Sequence, residues 1–72
     1  MVFEVRYFFI DGTEAVESIE EHGITEEDVT LFITDEIFRK HGYRIIRGGG
    51  DKPTTVVTLN RLKYLRVKIA NQ

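Results

Sequence analysis

The residues of this chain best suited to chemistry are its charged ones, and they are sorted by position. Arg61, Lys63, Tyr64, Arg66 and Lys68 follow one another with no acid among them. On a β-strand Tyr64, Arg66 and Lys68 project from one side, which makes a basic ribbon with an aromatic at one end. Such ribbons contact phosphates and stack on bases. The opposite charge gathers earlier, where Glu14, Glu17, Glu20, Glu21, Glu26, Glu27 and Asp28 form a candidate acidic interaction face. An acidic face of this kind can meet a basic partner or imitate a row of phosphates. From Met1 to Glu36 eleven acids stand against Arg6 alone, and from Ile37 to Gln72 nine bases stand against Asp51 alone. The chain as a whole carries only −2, so its halves make two opposed surfaces or one neutralised interface. Basic strands also guard sheet edges against aggregation. The ribbon is therefore expected mainly to protect an edge or to pair with the chain's own acidic helices.

The remaining motifs fail on their chemistry. Arg47-Gly48-Gly49-Gly50-Asp51-Lys52-Pro53-Thr54 invites comparison with a phosphate-binding loop. That loop needs a Gly-Lys-Ser/Thr triplet followed at once by a helix whose amides face the anion. Here Asp51 separates glycine from lysine, Pro53 lacks an amide, and strand-forming residues follow. A hairpin loop is the better reading, at most with a shallow anion nest beside Arg47 and Lys52. Ile19 to Phe32 has the apolar spacing of a DNA-reading helix-turn-helix. Its second helix would aim Glu26, Glu27 and Asp28 at phosphates, and electrostatics dominates DNA affinity, so that reading fails.

Carboxylate pairs can do acid–base work, but only in a concave, water-excluding pocket that drives two pKa values apart. A chain this short has little room for one. The acids are expected to be solvated helix faces. His22 and His41 each stand beside or near a glycine at the end of an element, and neither has a serine or second histidine nearby. No catalytic, cofactor-binding or metal-ligating residue is expected. The absence of cysteine rules out a disulfide or a thiolate metal site and fits a reducing compartment.

These residues must be positioned by a single small domain, residues 1–72. It buries only about 60% of the surface exposed by the unfolded chain. No run approaches the ~18 apolar residues of a membrane span. The first residues lack the basic start and apolar stretch of a signal peptide. The expectation is a cytoplasmic protein with no membrane partner.

Val2 to Ile10 reads as a strand, with Phe3, Val5, Tyr7 and Phe9 on one parity. Thr13 to His22 reads as a short helix, because Asp11 and Glu14 have capping-box spacing and Gly23 supplies a stop. The rival is a returning strand after an Asp-Gly hairpin turn. Thr25 to His41 is the firmest helix, with a cap, an acidic first turn and a basic last turn. It has i, i+4 pairs at Asp35–Arg39 and Glu36–Lys40, and Gly42 stops it. Tyr43 to Arg47, Thr54 to Leu59 and Leu62 to Ala70 read as strands, with Asn60-Arg61 as a hairpin turn between the last two; the rival for the last is a terminal helix capped by Asn60 with Leu62, Leu65 and Ile69 in register.

The resulting class is α+β: a small antiparallel sheet of about four strands in the order β-α-α-β-β-β, with one long helix on one face. The expected core is Phe3, Val5, Tyr7, Phe9, Val29, Phe32, Ile33, Ile37, Ile45, Val57, Leu65, Val67 and Ile69. Three function classes fit these residues. The first is a non-enzymatic interaction protein, such as an adaptor, regulator or inhibitor, whose partner is another protein or a second copy of itself in a homodimer. The second is a nucleic-acid-binding module using the C-terminal ribbon. The third is a small-molecule enzyme or sensor with a site shared between subunits. Because the enzyme motifs fail and dedicated nucleic-acid domains are usually basic overall, the interaction protein ranks first.

Overall fold

The computed structural model describes residues 1–70. Strand β1 (Val2–Phe9) forms as its alternation predicts, with Phe3, Val5, Tyr7 and Phe9 all buried on one face. It is the central strand of a three-stranded antiparallel sheet. Strand β2 (Glu14–Glu20) lies on one side and strand β5 (Leu62–Ile69) on the other. Strands β3 (Tyr43–Ile46) and β4 (Thr55–Thr58) form a separate antiparallel pair. Between β2 and β3 runs helix α1 (Glu26–Asp35), which continues into a π-helical turn, Glu36–Lys40. The α+β class therefore holds, with a long helix on one face of an antiparallel sheet and five strands among the described residues.

The order is β-β-α-β-β-β, because Thr13 to His22 contains a strand and not the expected short helix. Asp11 closes the turn that leads into it. Its carboxylate accepts hydrogen bonds from the Thr13 amide (2.9 Å) and hydroxyl (2.6 Å) instead of capping a helix. Those two bonds, the hydroxyl's first, hold the Asp11 carboxyl below its usual range. Gly12 takes φ 90°, in the left-handed region that suits a tight turn. β2 then returns along β1, with Ala15, Glu17 and Ile19 turned inward and Glu14, Val16, Ser18 and Glu20 outward.

The helix begins as expected. Thr25 and Asp28 make a reciprocal capping box, each backbone amide donating to the other's side chain at 2.8 and 3.1 Å. Val29, Ile33 and Ile37 form its buried stripe. Phe32 is not in the core but 57% exposed. Adjacent helical residues differ by about 100° around the axis. Once Ile33 points at the sheet, Phe32 must sit on the shoulder.

Ile45 is likewise exposed while Ile46 is buried. Arg44 takes an inward position on β3, and the two-residue period carries Ile46 in with it. Leu65, Val67 and Ile69 pack against the core while only partly buried. The Asn60-Arg61 turn is closed by the Arg61 amide on the Thr58 carbonyl at 3.1 Å. It does not join paired strands, since β4 pairs with β3 and β5 with β1.

The loop between β3 and β4 is tight at Gly48. A Cβ there would lie 2.5 Å from the Lys52 carbonyl oxygen, so only glycine permits this approach. Among the described residues no helix is long and apolar enough to cross a membrane.

Candidate interaction surfaces

Three features outside the apolar core are candidates for function. The first is the outer face of the three-stranded sheet. Register places Phe8 opposite Tyr64, Arg6 opposite Arg66 and Glu4 opposite Lys68. Tyr64, Arg66 and Lys68 are exposed on this face, as the strand reading requires. Tyr64 stacks on Phe8 with ring centroids 4.3 Å apart and planes 18° apart. The Arg66 guanidinium lies 5.7 Å from the centroid of the same Phe8 ring. Arg6 is held between Glu14 (2.9 Å) and Glu4 (3.2 Å). These two carboxylates, Glu14 first, raise its pKa.

Among the described residues, Arg61, Lys63, Arg66 and Lys68 make no ion pair. The expected pairing of the ribbon with the acidic helices is therefore not what the fold builds. Arg61 lies over the Phe9 ring at 4.8 Å, and its carbonyl accepts from the Ile10 amide at 2.9 Å. Lys63 sits where the β1–β5 register shifts, beside Phe8 and Phe9.

The acidic residues do not gather on one face. Glu14 and Glu20 lie on the outer sheet face, while Glu17 points inward. Glu21 is exposed just beyond β2, and its backbone amide donates to the Met1 carbonyl at 3.1 Å. The first turn of α1 holds the rest. The Glu26 carboxylate accepts from the Ile69 amide at 2.9 Å and ties the helix start to β5. Asp28 is occupied by the capping box, where the Thr25 amide, then its hydroxyl, lowers its pKa. Glu27 remains exposed.

The second feature is a polar cluster that no local pattern in the sequence announces. Arg44 on β3 donates from Nε (2.6 Å) and Nη2 (2.8 Å) to the two oxygens of Glu17 on β2. Its Nη1 reaches Glu36 in the π-helical turn at 3.3 and 3.4 Å. The Tyr7 hydroxyl of β1 donates to the same Glu17 carboxylate. Burial, then the hydrogen bond to anionic Glu17, raises the Tyr7 pKa, because ionisation would add a second negative charge there. The Glu17 hydrogen bonds in turn raise the pKa of Arg44.

Four elements thus meet in one cluster, three of them on the guanidinium. Glu36 consequently pairs with Arg44, and Lys40 reaches Asp35 at 3.5 Å beside the expected Asp35–Arg39 pair at 3.4 Å. The only signals for this cluster were a glutamate on the otherwise apolar parity of β2 and a charge in the middle of β3. The donors and acceptors of the cluster are spent on one another, which suits a clamp better than a reacting centre.

The third feature is the outward side of α1 and the π-helical turn. Leu31 (59% exposed), Phe32 and Phe38 (54%) face solvent there. They line an open hollow of about 590 Å³ together with Asp28, Thr34, Asp35 and Arg39. A neighbouring cleft of about 320 Å³ runs between this side and β2, lined by Ile19, Ile24, Val29 and Phe32.

His22 lies 3.3 Å from the Met1 amino group. His41 closes the π-helical turn through its amide on the Glu36 carbonyl at 2.8 Å. Among the described residues no group of three or more His, Asp or Glu side chains is arranged to hold a metal ion. Compared with protein-family models, curated proteins and solved structures, the chain shows no significant match.

Proposed function

We propose that this chain is a non-enzymatic interaction protein of the cytoplasm, an adaptor or regulator that works as a homodimer. The observation that carries the reading is the apolar stripe of Leu31, Phe32 and Phe38 on the outward side of the helix. Large apolar groups clustered at the surface favour a docking role, whereas isolated ones need no explanation.

The charges beside the stripe favour a second copy as the occupant. The helix starts with Glu26, Glu27 and Asp28, and its π-helical end carries Arg39 and Lys40. Two copies packed antiparallel about a two-fold axis set each acidic start against the partner's basic end. The Arg44 cluster supports the non-enzymatic side of the reading, because its guanidinium and the Glu17 carboxylate already bond to one another.

Light scattering coupled to size-exclusion chromatography tests the dimer. The wild type should run at twice the chain mass at tens of micromolar and dissociate on dilution. Phe38→Glu should be monomeric at every concentration with an unchanged circular-dichroism spectrum, since Phe38 is exposed in the monomer. A wild type that is monomeric throughout would overturn the reading.

A further inference from the structure

We infer that the outer face of the three-stranded sheet, along its edge strand β5, is a docking surface for single-stranded nucleic acid. This goes beyond self-association and uses a different face of the molecule. Tyr64, Arg66 and Lys68 stand on that face about 6.8 Å apart, the two-residue stride of an antiparallel strand. They form a straight lane of one aromatic and two cations, with Lys63 beside Tyr64 at the register shift.

The contrast with Arg6 is the key to the lane. Arg6 stands directly across from Arg66, yet Glu4 and Glu14 neutralise it. Among the described residues Arg66 and Lys68 have no carboxylate partner. Among the described residues the cations of this face without an ion pair are therefore on β5, with Glu4 across from Lys68.

The aromatic end of the lane is already assembled. Phe8 backs Tyr64 in a stacked pair at 4.3 Å, and Tyr64 itself is 52% exposed. A base that stacks on Tyr64 meets a ring already held in place, with Arg66 beside the pair to take a phosphate. Cation-lined lanes with aromatic platforms bind single strands without sequence readout.

The same charges argue against a duplex. Glu4, Glu14 and Glu20 occupy the β1 and β2 side of this face. A second phosphate strand would be laid against those carboxylates. The cationic lane is one strand wide, so a single strand fits where a double helix is repelled.

Fluorescence anisotropy tests the inference with a 5′-fluorescein oligodeoxythymidine at low salt. A labelled duplex and a labelled polyglutamate peptide serve as competing probes. The expected result is saturable binding to the single strand. Its log–log salt slope should be about −2, from roughly three phosphate contacts at about −0.7 each. Replacing Arg66 and Lys68 together by Ser should weaken binding at least tenfold and bring the slope close to about −0.7. Tyr64→Ala should weaken it by about 5- to 150-fold, the effect of one lost base stack, and leave the slope unchanged.

Leu31→Glu, altered on the outward side of the helix and outside the hollow that Phe38 shares with Tyr64, should lose the dimer and bind like the wild type, so the dimer and the docking surface fail separately. Absence of saturable binding would overturn the inference. So would equal binding by the Arg66/Lys68 double variant. Tighter binding of the duplex or of polyglutamate would assign the lane to a different partner and overturn it too.

Discussion

Removing the Arg44 guanidinium tests whether the cluster is a clamp. Arg44→Met keeps a long unbranched side chain at the position and deletes the charge. Glu17, whose side chain is 12% exposed, loses both short hydrogen bonds, and Glu36, at 21%, loses its only ion pair among the described residues. Breaking a buried pair by removing one partner costs about 3–5 kcal/mol, mostly because the remaining charge is left without compensation.

A 72-residue domain has a total stability of about 4–11 kcal/mol at the usual value per residue. The substitution therefore removes between about a third and all of it. Urea unfolding followed by circular dichroism at 222 nm measures this, with an osmolyte added if the variant is already partly unfolded in buffer. The partner control is Glu17→Leu combined with Arg44→Met. It removes the buried anion as well as the cation and should recover much of the loss, since apolar replacement of a buried pair is often neutral. A single variant within 1 kcal/mol of the wild type would refute the clamp argument, as would a double variant no more stable than the single.

Two further outcomes follow from burial and titration. Ile33→Ala should cost about 2–5 kcal/mol because its side chain is fully buried. Phe32→Ala should cost about 1 kcal/mol or less because most of that ring already faces water. Paired urea midpoints check the contrast, and equal losses would place Phe32 in the core after all.

The Tyr7 pKa is raised in the folded state from its ordinary value of 10.0. Above pH 10 the unfolded chain gives up this proton while the folded chain keeps it, so ionisation drives unfolding. Stability from this group is complete below about pH 10 and should fall by up to about 1.4 kcal/mol per pH unit above it. Urea midpoints from pH 8 to 11.5 should show that decline in the wild type and a shallower one in Tyr7→Phe.

Much of the framework was legible in the sequence because it rests on local periods. The alternation in β1, the Thr25–Asp28 cap and the 29, 33, 37 stripe each need only neighbouring residues to be recognised. Thr13 to His22 was not legible in the same way. Asp11 could cap a helix with Glu14 or close a turn with Thr13, and local sequence does not choose between them. Glu17 chooses, by reaching an arginine 27 residues away. The same arginine sets the inward parity of β3 and so exchanges Ile45 for Ile46.

The candidate sites divide along the same line. That Tyr64, Arg66 and Lys68 share a side follows from strand periodicity alone. That they stand free of the acids depends on sheet order, because β5 pairs with β1 and not with β4. The acidic residues looked like one group along the chain, but the hairpin and the helix send them to three different places.

The pairing of β1 with β5 also governs how the chain reaches this fold. Phe3 meets Ile69, and the Ala70 amide donates to the Val2 carbonyl at 2.9 Å. Half of the central strand's ladder is supplied by residues far from it in the sequence. A growing chain can form the β1–β2 hairpin and the helix early, but the side of β1 that will take β5 stays open until β5 itself has been made. Closing a loop that spans nearly the whole chain is the slow kind of contact formation. Through that interval the open edge of β1, flanked by Phe8 and Phe9, is the segment most exposed to mispairing. The basic residues of β5 end that exposure, so the strand that carries the charged lane also closes the sheet.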